Sequence, residues 1–143
     1  MTKVLVGYRL SPEGDAALET GLAEARLRGA ELLVIHSSRG GDTERTEDIT
    51  ALDSAAAGAR ARLDTEGIPY RFREQVLGNS PSEDIIALAI EEDVDVIVIG
   101  IRNRSLVGKA ILGSTAHEIL VGAPCPVISV KAPNSIEEGG TTT

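Results

Sequence analysis

The sequence predicts an α/β domain built on one doubly wound, five-stranded parallel sheet with helices on both faces. Strand-like apolar runs and helix-like periodicity alternate five times with short connections, an order that favours parallel strands joined by right-handed crossovers. Apolar residues make up 42% of the chain and aromatic residues only 2%. The interior must therefore be filled by Val, Ile, Leu and Ala, as in a sheet covered on both faces. With 143 residues the chain suits a single core that buries about two-thirds of the unfolded surface.

Lys3 to Tyr8 (KVLVGY) is the first strand, apolar and β-branched. Ser11, Pro12 and Glu13 then supply an N-cap, a first-turn proline and an early carboxylate for a helix with Leu18, Leu22 and Ala25 on one face, stopped by Gly29. Glu31 to His36 (ELLVIH) repeats the buried-strand pattern, and Ser37 to Asp48 reads as the longest internal loop. Ile49, Leu52, Ala56, Ala59 and Leu63 share the face of a second helix that ends at Gly67. In the third strand, Tyr70 to Val76, Tyr70, Phe72 and Val76 alternate with Arg71, Arg73 and Gln75, the pattern of an edge strand with one wet face. Glu74 interrupts its apolar face.

Ser80, Pro81 and Glu83 have capping-box spacing ahead of a third helix carrying Ile85, Ile86, Ala89 and Ile90. Val94 to Gly100 (VDVIVIG) is the most apolar strand. Gly113-Ser114 opens a short helix bearing Ile119 and Leu120, and Pro126 to Val130 closes the sheet. The domain is expected to span residues 1–131, with a disordered tail over 132–143, where PNSIEEGGTTT has almost nothing to bury.

Composition excludes several function classes. A net charge of −8 opposes general association with nucleic acid or with a membrane surface. The absence of a long apolar run and of a signal-peptide pattern leads to the expectation of a cytoplasmic protein. One cysteine, Cys125, and two histidines, His36 and His117, do not make a metal centre.

In such sheets ligands sit beyond the carboxyl ends of the strands, which directs attention to the segments after Tyr8, His36 and Gly100. The last of these, Gly100 to Thr115 (GIRNRSLVGKAILGST), holds three glycines and the cations Arg102, Arg104 and Lys109, with no acid between Asp95 and Glu118. Gly113-Ser114-Thr115 would offer unpaired amides and two hydroxyls at a helix N-terminus, a binding place for phosphate. The segment is neither a P-loop nor a dinucleotide fingerprint.

This stretch resembles the ATP-binding universal stress proteins, which carry a glycine, two residues, a second glycine, nine residues, and then glycine with Ser or Thr. Gly100, Gly113 and Ser114 match that frame, and Asn103 stands at the second glycine. The likeness runs from Lys3 to Lys131 and includes Ala123-Pro124-Cys125-Pro126-Val127. It implies an adenine nucleotide alpha hydrolase-like fold with strand order 3-2-1-4-5, and an ATP or AMP site, with magnesium possible beside ATP. Gly100 and Asn103, with Arg102 between them, would lie along ribose and phosphates. Gly113, Ser114 and Thr115 would hold phosphate oxygens, and Ser37 would sit near the adenine. Where the family usually has Asp, Gly and Ser after the first strand, this chain has Arg9, Leu10 and Ser11. Arg9 either adds positive potential to the pocket or occludes it. The resemblance also implies a homodimer through the last strand.

His36, His117, Ser114 and Cys125 lack the neighbours that would make them catalytic. Glu91, Glu92, Asp93 and Asp95 read as a solvated loop at the opposite rim, and Lys3 as an ordinary strand-end charge. The function expected is a stress or signalling module acting through nucleotide occupancy, with at most slow ATP hydrolysis. The alternative is a nucleotide-free dimeric interaction protein with an altered pocket.

Overall fold

The computed structural model describes residues 2–9, 11–37, 46–75, 80–101 and 113–132. The strands are β1 (Lys3–Gly7), β2 (Glu31–Ser37), β3 (Tyr70–Gln75), β4 (Val96–Ile101) and β5 (Val127–Lys131). They pair in parallel in the order β3-β2-β1-β4-β5. The register aligns Leu5 with Leu33 on one side and Ile97 on the other.

Side chains alternate across the sheet, so β1, β2, β4 and β5 feed two cores, while β3 packs only Tyr70 and Phe72 against one of them. Val4, Val6, Leu32, Val34, Val96 and Val98 pack beneath α1 (Pro12–Arg28) and α2 (Thr46–Glu66), whose Leu18, Leu22, Ala59 and Leu63 are buried with them. Leu5, Leu33, Ile35, Ile97 and Ile99 pack on the other face with Ile85 and Leu88 of α3 (Pro81–Glu91) and Ile119 of α4 (Ser114–Gly122). Burying such a side chain contributes about 1.5–3 kcal/mol each.

The helix starts follow their caps. Ser11 Oγ accepts the Gly14 N–H at 3.0 Å. Ser80 and Glu83 form the full capping box, with Glu83 accepting the Ser80 N–H at 2.9 Å. Gly29 ends α1 at φ 60°, a left-handed conformation that favours glycine.

Several expectations shift. α2 begins at Thr46, three residues before Ile49, and residues 38–45 of the expected loop lie outside the described set. β4 starts at Val96 rather than Val94, because the Val94 N–H is drawn back to the Ala89 carbonyl at 3.0 Å. Leu120, expected on the packed face, is exposed. Ala132 is buried and belongs to the core; 133–143 lie outside the described residues.

The acidic cluster at the amino rim is not simply solvated. Lys3 Nζ donates to Glu92 Oε1 at 3.0 Å and to the Glu92 carbonyl at 3.1 Å. Arg71 donates to Glu92 and to Glu31, each at 2.9 Å. The Lys3 N–H donates to Asp95 Oδ2 at 2.8 Å. Hydrogen bonds from Arg71, then Lys3, lower the Glu92 carboxyl to about 2.

Candidate functional site

β1 and β4 are neighbours, but the chain leaves them in opposite directions, toward β2 and toward β5. Their carboxyl ends therefore part, which is where doubly wound sheets open a ligand crevice. A cavity of about 350 Å³ occupies this place, at the small end of the range for ligand pockets. Ile35, Ile85 and Ile99 give it apolar walls.

Two close backbone approaches shape the cleft. A Cβ at Gly14 would collide with the Arg9 carbonyl, and one at Gly100 would collide with the Glu13 carbonyl. The first turn of α1 is thus pressed against the end of β4. Gly100 lines the cavity and also allows this contact.

On the other wall stands the N-terminus of α4. Gly113 is its N-cap, in extended conformation with no side-chain cap, and the first bond of the helix runs from the His117 N–H to the Gly113 carbonyl at 3.0 Å. The amides of Ser114, Thr115 and Ala116 precede that bond, and all three residues line the cavity. Uncapped amides carry the positive end of the helix dipole. α1 and α3 reach the same cavity but have serine caps of their own.

Arg9 is exposed, lines the cavity, and makes no hydrogen bond or ion pair with another described residue. It leaves the cavity open rather than filling it. Its charge reaches His36, whose ring lies 6.3 Å from that of Tyr8. Burial lowers the His36 pKa; Glu74 opposes this and Arg9 adds to it.

Of the residues singled out from sequence, the structure gathers Arg9, Ser11, Gly100, Gly113, Ser114 and Thr115 around one cavity. Ser37 ends β2, but its side chain lies outside the described set, as do Arg102 and Asn103. Sequence reasoning missed Glu13 and Gly14, which line the α1 wall, and Ile85, which reaches in from α3. The helix signature at Ser11-Pro12-Glu13 placed the first two near the rim. Nothing distinguished Ile85 from core.

The rejected candidates lie elsewhere. His117 is exposed, and the Cys125 thiol, half-buried rather than fully buried, is pushed up by burial and then by Asp95. Among the described residues no group of His, Cys, Asp and Glu could hold a metal ion, and no helix is long and apolar enough to cross a membrane.

Comparison with known proteins agrees with this architecture. The model of the universal stress protein family matches residues 1–131. A universal stress protein of Mycolicibacterium smegmatis is 36% identical over 128 residues, covering 90% of this chain and 96% of its own. The structure of a universal stress protein from Archaeoglobus fulgidus is similar with a TM-score of 0.77 at 34% identity, over 92% of this chain and 99% of that one. Another, solved in complex with dAMP, gives 0.72 at 31% identity over 92% and 98%. With sequence and fold matching from the approach to β1 through to β5, the chain belongs to the universal stress protein family.

Proposed function

We propose that the protein is a stress or signalling module of the cytoplasm that binds an adenine nucleotide, ATP or AMP, beyond the carboxyl ends of β1, β2 and β4. One observation carries the reading: the N-terminus of α4, without a side-chain cap, opens onto a cavity that also has apolar walls from Ile35, Ile85 and Ile99. Phosphate oxygens would take the amides and hydroxyls of Ser114 and Thr115, with Ser11 and Gly100 along the nucleoside. The apolar side chains Ile35, Ile85 and Ile99 suit a base. The relative at 31% identity solved with dAMP supports the same ligand class.

The output is occupancy. A ligand that bridges the segments after three strands favours the conformers in which they are ordered, and so alters the surface offered to a partner. Magnesium would arrive on the triphosphate rather than in a site of its own.

A second copy is the partner best supported. β5 is an edge strand, and Val127, Ile128 and Val130 on it are only half-buried; an unpaired apolar edge favours pairing with another strand. Sedimentation at micromolar concentration should show a dimer, and monomer alone would remove this part of the reading.

Calorimetry with ATP and AMP, with and without magnesium, tests the ligand. Mass spectrometry of small molecules released from freshly purified protein should find an adenine nucleotide. If neither experiment finds binding, the nucleotide-free interaction module is the function that remains.

A further inference from the structure

The cavity has two positive poles, approached from opposite faces of the sheet. The start of α4 comes from the face that α4 shares with α3, and there the amides of the first turn stand uncapped. Arg9 begins the connection from β1 to α1, which lies on the opposite face. Arg9 lines the cavity from that side, while Ser114, Thr115 and Ala116 line it from the α4 side. One pole alone accounts for the terminal phosphate of a nucleotide. The second calls for another acceptor on the same molecule.

Arginine narrows what that acceptor can be. Its planar guanidinium presents five donors and no acceptor, stays charged at any working pH, and matches a phosphate with two parallel hydrogen bonds. Arg9 lines the cavity and has no hydrogen bond or ion pair to another described residue. A free ribose hydroxyl is best held by a carboxylate, whereas an arginine in a doubly wound sheet accommodates a ribose phosphate. The cavity, at about 350 Å³, suits one nucleotide rather than two joined together.

We infer that the ligand is an adenine nucleotide phosphorylated twice, at the 5′ position and again on the ribose, with the 5′-phosphate at the start of α4 and the ribose phosphate on Arg9. This rests on the nucleotide reading above and adds the identity of its second charged group. Whether the second phosphate sits on the 2′ or the 3′ oxygen is decided by the arms of the test.

The test is calorimetric titration of the purified full chain with AMP, adenosine 2′,5′-bisphosphate and adenosine 3′,5′-bisphosphate. Charge-assisted hydrogen bonds to the added phosphate should make one bisphosphate bind about tenfold or more tighter than AMP. In Arg9→Gln the ratio of bisphosphate to AMP affinity should fall toward one, and in Arg9→Lys it should be intermediate, since lysine keeps the charge and loses the fork. Thermal melting of both variants verifies folding, as Arg9 is exposed. If AMP binds and neither bisphosphate binds tighter, the inference is overturned while the nucleotide reading stands. It is also overturned if the preference survives Arg9→Gln. If no adenine nucleotide binds at all, the nucleotide reading itself fails.

Discussion

At the amino rim of the sheet, Lys3 and Arg71 converge on Glu92, and Arg71 also holds Glu31; at the carboxyl rim, Arg9 faces a cavity with no described carboxylate bound to it, and α4 begins without a cap. Both rims collect charge where strands end. At the amino rim the charges neutralise one another and tie β1, β2, β3 and the end of α3 together. At the carboxyl rim the first-turn amides of α4 take no side-chain cap from Gly113 and line the cavity. Such partly exposed pairs stabilise weakly, so the amino rim aligns elements more than it strengthens them, while the carboxyl rim gives up local stability for a place to bind.

The largest effect that would break this contrast is at the base of the cleft. Gly100→Ala should cost about 3 kcal/mol, because the new Cβ meets the Glu13 backbone and α1 must move. Urea unfolding would show the lower midpoint, and an unchanged midpoint would mean that the close approach of α1 to β4 does not hold in solution.

Next comes Gly113→Asp, which gives α4 the cap it lacks. Gly113 has extended geometry and open space for a Cβ, so stability should rise by roughly a few tenths of a kcal/mol. Nucleotide affinity should fall about tenfold or more, since the carboxylate takes the amides and repels phosphate. Opposite signs in melting and calorimetry would sharpen the distinction between the rims; unchanged affinity would show that phosphate does not use α4.

Ser80→Ala removes a cap that is already satisfied within the fold. The loss should be about 1 kcal/mol in chemical denaturation, without the gain in stability predicted at Gly113. No measurable loss would mean that the capping box contributes nothing.

The smallest effect belongs to the amino rim and is a pH dependence. The folded Glu92 carboxyl is lowered from 4.5 to about 2 by Arg71 and Lys3. Its contribution is therefore complete above the unfolded value and disappears as pH falls from about 4.5 to 2. Glu92→Gln should flatten that part of the stability curve and leave nucleotide affinity unchanged. An acid limb of undiminished slope would mean that other carboxylates carry it.

Much of this was legible in the residues. The runs Val4–Val6, Leu32–Ile35 and Ile97–Ile99 are apolar throughout because both faces of the sheet are covered. Ser11-Pro12 and Ser80-Pro81 with Glu83 announced helix starts that the structure reproduces. Gly113-Ser114 pointed to the wall of the cavity. What escaped notice depends on contacts between distant segments. Lys3 and Glu92 are 89 positions apart, and the hydroxyl of Ser82, which donates to Glu118 between α3 and α4, gives no local sign of its partner. Leu120 fitted the helical period of the packed face but turns outward, because periodicity locates a stripe and not its width.

By itself, then, the order of apolar runs, caps and glycines determined which segments are strands and helices, and which segments follow the strands' carboxyl ends. Those signals act within a turn or a strand, over a few residues. Only the tertiary structure decided that Arg9 and the start of α4 reach one cavity from opposite faces of the sheet, that Gly100 must admit the backbone of Glu13, and that Glu92 is claimed by two cations. Each of these depends on the strand order bringing together residues that no local rule connects.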